Sequence, residues 1–167
     1  MKNIIDKNLL RLFVKEHTAP VTDPQALENN GHFGLALVTP EDEPIPGIIG
    51  EIQKDLPEAR TFKMTAPEGE NNLKQFRAFL SELLYLLNEP PLKNGQEPAV
   101  ATHLARLLST RFDFIIVDAA ERLGTYSLDA LRRDHGNPPT FLIARSDRIL
   151  DTLLSSDSLL QRVTMLA

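Results

Sequence analysis

The chain has 167 residues, enough to bury a sizeable core in one domain, and its 42% hydrophobic and 25% charged residues are ordinary for a globular protein. Its formal net charge of −5 disfavours a dedicated nucleic-acid binder, which is usually basic. Cysteine is absent, which excludes disulfides and thiolate metal sites, and the four histidines lack the spacing of a metal site.

Residues 1–30 are predicted to form an N-terminal helical segment. Apolar residues recur at helical spacing over 3–16, and interleaved charges such as Asp6 and Arg11 exclude a signal peptide. A second helix is predicted to begin at Asp23-Pro24 and to end before Gly31. No apolar run approaches the roughly 18 to 20 residues of a transmembrane helix. We therefore expect a cytoplasmic protein with no membrane partner.

From residue 33 onwards, short apolar runs typical of buried strands alternate with helical patterns. Strands are predicted at 33–38, 59–65, 112–118 and 140–144. Helices are predicted at 48–56, 71–88, from 97 onwards, at 127–133 and, as one or two helices, at 149–166. This alternation predicts a parallel α/β fold with right-handed crossovers. We expect residues 1–167 to form a single domain whose α/β core spans 33–163.

The most informative stretch is 112–123, where an apolar strand ends on an acidic residue, Asp118. This arrangement places a carboxylate at the end of a buried parallel strand. Two interpretations are open: a carboxylate that supports Mg²⁺, or an exposed aspartate that caps the turn before the next helix, which we prefer. The next residue, Ala119, has no group that could act as a general base.

Three sequence patterns carry a resemblance to a known family. A strand at 34–39 runs straight into a loop, the strand 115–118 ends in Asp, and the strand 141–144 leads into patterns at 147–150 and 159–163. In this order, residues 20–163 resemble the core of AAA+ ATPases, and more narrowly the ATPases that regulate transposition and the ExeA-type secretion ATPases. The resemblance implies a three-layer, P-loop NTPase-like core with a mostly parallel sheet. Since the chain ends at Ala167, we expect no lid domain.

The chain departs from this family at the loop that would bind phosphates. The motif G-x-x-x-x-G-K-[ST] is absent, and the corresponding residues are Pro40, Glu41, Asp42, Glu43, Pro44, Ile45, Pro46 and Gly47. Three prolines remove three N–H donors, three consecutive acids repel a triphosphate, and Pro46 stands where the family has lysine. The loop is thus a degenerate Walker A segment. It is either a solvated connection without a ligand, which we prefer, or an acidic contact site for a basic partner; residual nucleotide binding is a third, minor alternative.

The resemblance also assigns roles to residues from the end of the strand 112–118 onwards. Asp118 matches the Walker B aspartate, while Ala119 replaces the catalytic acid, and no polar residue on the strand 140–144 matches the γ-phosphate sensor. Arg162 matches an arginine finger, although a surface arginine on an amphipathic helix is the preferred interpretation. The candidate interaction residues are therefore Glu41, Asp42, Glu43, Arg145, Arg148 and Arg162.

These losses together predict a protein that is not an enzyme and needs no cofactor or metal. Our leading hypothesis is a catalytically inactive AAA+-like protein that binds and regulates another protein, either a related AAA+ ATPase or a second copy, for example in a transposition-type assembly. One alternative is an unorthodox nucleotide-binding enzyme that uses Asp118. Another is a small DNA-binding accessory protein that uses its arginine-rich C-terminal part, which the charge does not favour.

Overall fold

The computed structural model describes residues 33–37, 50, 53–54, 57–132, 138–156 and 163–165. In chain order its elements are β1 (Phe33–Leu37), β2 (Thr61–Thr65), α1 (Asn72–Leu86), α2 (Glu97–Arg111), β3 (Phe114–Asp118), a 3-10 helix (Ala120–Arg122), α3 (Thr125–Arg132), β4 (Thr140–Ala144), α4 (Arg148–Leu154) and β5 (Val163–Met165). The predicted helices at 3–16 and 23–31 lie outside these residues. Of the helix predicted at 48–56, Gly50, Gln53 and Lys54 are described, and they are helical and exposed.

The strands form one sheet in the order β2-β3-β4-β1-β5, and each described pairing is parallel. The apolar runs of β3 and β4 are buried along their length, as expected for strands covered on both faces. The edge strand β2 instead alternates, with Phe62 and Met64 buried and Lys63 exposed. The predicted parallel α/β fold is confirmed.

Helices α1, α2 and α3 contact one another and pack against one face of the sheet. Their buried residues include Phe79 and Leu83 of α1, Leu104 of α2 and Leu128 of α3. Alternate strand residues such as Ile116 on the opposite face are also fully buried. Both faces of the central strands are therefore covered, as a three-layer core requires.

The helix predicted at 71–88 is confirmed as α1, but its buried face differs from the prediction at one position. Asn71 caps α1, since its Oδ1 accepts the N–H of Lys74 at 2.9 Å. The sequence predicts an apolar stripe that includes Leu73, but this side chain is 52% exposed. Phe79 is buried instead, because the face of α1 that meets the sheet is centred on residues 75, 79 and 83.

The C-terminal part differs most from its prediction. The sequence predicts one or two helices over 149–166, but α4 ends at Leu154 and residues 163–165 form β5. This strand pairs with Phe33–Leu35 of β1. Three residues are too few to show a period in the sequence, so the pairing with β1 decides their conformation. Similarly, α3 begins at Thr125 and not at 127.

Candidate functional site

The candidate site lies where the carboxyl ends of β3 and β4 meet, the edge at which ligands collect in open α/β sheets. Asp118 is the last residue of β3, and its backbone is in register with Ile143 of β4. Arg145 follows directly after β4. The parallel pairing of these two strands therefore brings a carboxylate and a guanidinium to the same edge.

The Asp118 carboxylate is used within the protein. Its Oδ1 accepts the N–H of Ala119 at 2.8 Å and lies 3.4 Å from Nε of Arg145. The Asp118 side chain is 18% exposed and that of Arg145 is 25% exposed. The expectation of an exposed aspartate is thus wrong, because Arg145 packs beside it, whereas the hydrogen bond to Ala119 fits the expected capping of the turn.

Ala119 turns the chain sharply after β3. Its backbone has φ 54° and ψ 41°, the left-handed conformation, which costs a non-glycine residue about 1–2 kcal/mol. The 3-10 helix of residues 120–122 follows immediately. The Asp118–Ala119 hydrogen bond helps to hold this turn, and the alanine side chain offers no acid or base there.

Hydrogen bonds and an ion pair join residues 118–125, here called the edge segment, to residues 145–148, here called the β4–α4 connection. The backbone N–H of Arg145 donates to Oε2 of Glu121 at 3.0 Å. The side chain of Arg148 binds the backbone of the same residue: its Nε and Nη2 donate to the carbonyl oxygen of Glu121 at 3.2 and 3.1 Å. Together with the Asp118–Arg145 ion pair, these bonds fasten the two stretches to each other.

On its other side, the edge segment is fastened to the loop after β2. The N–H of Ala66 donates to the carbonyl oxygen of Asp118 at 2.9 Å, which extends the ladder between β2 and β3. Arg122 donates from Nη1 to the carbonyl of Ala66 at 3.3 Å, and its Nε lies 3.5 Å from the Glu68 carboxylate.

The first turn of α1 holds the end of the edge segment. Gln75 is 2% exposed, and its Oε1 accepts the Gly124 N–H at 2.9 Å and the Ser127 hydroxyl at 2.5 Å. Its Nε2 donates to the carbonyl of Pro67 at 3.2 Å. A side chain at Gly69 would collide with the backbone of Gln75, so only glycine allows the loop to approach this closely.

Asn72, in the same turn of α1 as Gln75, also bonds to the end of the edge segment and the start of α3. Its Nδ2 donates to Oγ1 of Thr125 at 2.6 Å, while its Oδ1 accepts the N–H of Tyr126 at 3.2 Å and so satisfies the start of α3. Sequence analysis missed both residues. The available signal was their position: Asn72 and Gln75 continue the buried stripe of Phe79 and Leu83 towards the N-terminus with polar side chains.

A cleft of about 410 Å³ lies between the first turn of α1, the edge segment and α4. Its lining carries two arginines, Arg122 and Arg148, and two acids, Glu121 and Asp151, so these charges balance. Among the residues that the structure describes, no group of three or more His, Asp or Glu side chains could hold a metal ion. The charged residues that line the cleft therefore favour neither an anion nor a cation.

Some of the residues predicted to contact a partner lie within the part of the chain that the structure describes, and others lie outside it. The loop Pro40–Gly47, with Glu41, Asp42 and Glu43, and Arg162 all lie outside the described residues, so their predicted roles remain predictions. Arg145 and Arg148 are described, and both bond within the protein. In the described part of the chain, no helix is both long and apolar enough to cross a bilayer.

No protein-family model matches the sequence, and no curated protein matches it either. Solved structures do match. The ORC2 protein of Aeropyrum pernix, in complexes with ADPNP and ADP, has a TM-score of 0.55 at 12% identity over 95% of this chain and 45% of that one. The fold is AAA+-like.

Two structures of Drosophila ORC agree with this assignment, both with a TM-score of 0.50 at 9% identity. One, bound to GC-rich DNA and Cdc6, is matched over 95% of this chain and 57% of its own chain. The other, bound to DNA, is matched over 96% and 91%. This chain thus spans about half the length of the first two AAA+-like neighbours. At these identities the likeness concerns the fold.

Proposed function

We propose that this AAA+-like protein is catalytically inactive and works by binding another protein. The observation that carries the proposal is the pairing of Asp118 with Arg145 at 3.4 Å, beside a left-handed Ala119. The family resemblance assigns Mg²⁺ to the first position and a catalytic acid to the second. Here a guanidinium faces the carboxylate, and the acid is replaced by a methyl group. The degenerate loop 40–47 supports the same conclusion.

The partner that we propose is a related, active AAA+ ATPase or a second copy of this chain. Domains of this family assemble side by side, so a domain that cannot hydrolyse nucleotide can still cap, regulate or adapt such an assembly. The patterns at 147–150 and 159–163 point to an assembly of the transposition-regulator or ExeA type. The acidic residues 41–43 and Arg162 are the candidate contacts.

Two measurements test the proposal. Calorimetry with Mg²⁺ and ATP or GTP at millimolar concentration should give no binding heat, and the purified protein should release no phosphate. Affinity purification from the native host should recover an ATPase, a transposase or the chain itself. Measurable nucleotide turnover would favour the alternative enzyme that uses Asp118. Recovery of none of these partners would contradict the protein-binding function.

DNA binding is the second candidate, because the Drosophila ORC neighbours are described as bound to DNA. Three arginines near the carboxyl edge argue against DNA binding, because Arg122, Arg145 and Arg148 each bond to an acid or a carbonyl of the protein itself. If DNA is nevertheless the partner, the protein will retard a DNA duplex in an electrophoretic mobility-shift assay at low salt. Its affinity for the duplex will then fall steeply as salt is added. The protein-binding proposal expects no such shift.

A further inference from the structure

We infer that Arg145 is a built-in cation for Asp118 and that it fastens the edge segment to the β4–α4 connection without a metal or a nucleotide. The inference rests on the proposed function in one respect: in a protein that does not use Mg²⁺ or nucleotide, the edge segment has to keep its position without either. The contacts at the carboxyl edge carry the inference.

Arg145 compensates the charge of Asp118. The Asp118 side chain is mostly buried, and an isolated carboxylate in such a place is costly unless a cation compensates it. Arginine keeps its charge at all ordinary pH values, so Arg145 supplies this compensation permanently. A divalent cation approaching Asp118 would meet the guanidinium 3.4 Å away and be repelled by it. Oδ1, moreover, already accepts the Ala119 N–H.

The edge segment and the β4–α4 connection are coupled by the Asp118–Arg145 pair, the bond from Arg145 N–H to Glu121 and the bonds from Arg148 to the Glu121 carbonyl. The Glu121 side chain binds the backbone of Arg145, and the Arg148 side chain binds the backbone of Glu121. Neither stretch can therefore move without breaking contacts of the other.

The edge segment is also held by two other parts of the chain. Hydrogen bonds of Ala66 and Arg122 join it to the loop after β2, and a hydrogen bond to Gln75 joins it to α1. The segment is thus held on three sides by contacts within the chain. These contacts fix the position of the edge segment without any contribution from a ligand.

Amide hydrogen exchange of the full chain, read by mass spectrometry, tests the inference. In Arg145→Gln, exchange over 119–123 and 145–148 should rise together by about tenfold, because the compensating charge is lost and both stretches loosen. Asp118→Asn removes the other partner with a smaller change of shape, and it should give the same two-site pattern if Arg145→Gln folds poorly. In the wild-type protein, millimolar Mg²⁺ with ADP should leave both stretches unchanged.

Arg60→Gln is the matched control. It removes an arginine that pairs with Asp113 at 3.2 Å, at the opposite end of the same strand, and should leave exchange over 119–123 unaltered. Unchanged exchange in both Arg145→Gln and Asp118→Asn would overturn the built-in cation. Protection of these stretches by Mg²⁺ and ADP would overturn the independence from ligands. Unchanged exchange in the two variants would leave the proposed function standing, whereas protection by Mg²⁺ and ADP would also contradict the expected absence of nucleotide binding. Failure to recover a protein partner would contradict the proposed function and leave the built-in cation standing.

Discussion

At the residue scale, two Arg–Asp pairs bracket β3 and differ in what surrounds them. Asp118 at the carboxyl end is mostly buried beside Arg145, whereas the Asp113 side chain at the other end is 46% exposed. Asp113 accepts hydrogen bonds from the backbone N–H, Nε and Nη2 of Arg60 at 3.0, 3.3 and 3.2 Å. The bond from the Arg60 side chain is the main reason that the pKa of Asp113 lies below its usual value.

This lowered pKa predicts how stability changes with pH. The folded pKa of Asp113 is below the unfolded one, so its contribution is present above the unfolded value, about 3.9, and is lost as pH falls through the folded value. Asp113→Asn should therefore cost less than about 1 kcal/mol at pH near 7, given the exposure of the pair. That difference from wild type should vanish in strong acid. Urea unfolding at a series of pH values measures this difference in the free energy of unfolding. A difference that stays constant down to strong acid would contradict the lowered pKa of Asp113.

At the scale of elements, the first turn of α1 positions the end of the candidate site. Its first turn supplies Asn72 and Gln75, which bond to residues 124–127 and so determine where the edge segment ends and α3 begins. This explains why α3 starts two residues earlier than its own sequence predicts. The cap comes from another helix, and a local pattern cannot show it.

Gln75→Leu tests this arrangement. The substitution keeps the approximate volume but leaves the Gly124 N–H, the Ser127 hydroxyl and the Pro67 carbonyl without their partner. We expect a loss of about 2–4 kcal/mol in the free energy of unfolding, since buried polar groups without partners are costly. Ser81→Ala, at an exposed position of the same helix, is the control and should be close to neutral. If the two variants unfold at the same urea concentration, Gln75 does not hold the segment.

At the scale of the whole molecule, the strand order gives β1 a neighbour on each side, β4 and β5. Its residues Phe33, Leu35 and Ala36 are fully buried. The loop 40–47 follows β1 in the sequence, so a well-positioned β1 is needed for any contact which that loop makes. The short strand β5, at the far end of the chain, therefore stabilises the start of the core.

Deleting residues 163–167 should expose the edge of β1. Unpaired N–H and C=O groups of an apolar strand favour pairing with another chain, so we expect a lower unfolding midpoint and aggregation on warming. Deletion of 166–167 alone leaves β5 and should behave as the full chain does. Thermal unfolding followed by circular dichroism and light scattering distinguishes the two. A monomeric 1–162 chain with the full-length midpoint would show that β5 is dispensable.

The sequence by itself determined β1 and the order of the elements from β2 to α4, because apolar runs and helical periodicity are local properties, whereas it predicted helix where β5 lies. It also placed Asp118 at the end of β3 and predicted the parallel sheet, which together located the candidate site at the carboxyl edge. Only the tertiary structure decided what that aspartate does. Arg145 reaches Asp118 because β3 and β4 pair in parallel, and Gln75 becomes buried because α1 packs there. Contacts between residues far apart in the chain depend on strand order and register, which a local pattern does not encode.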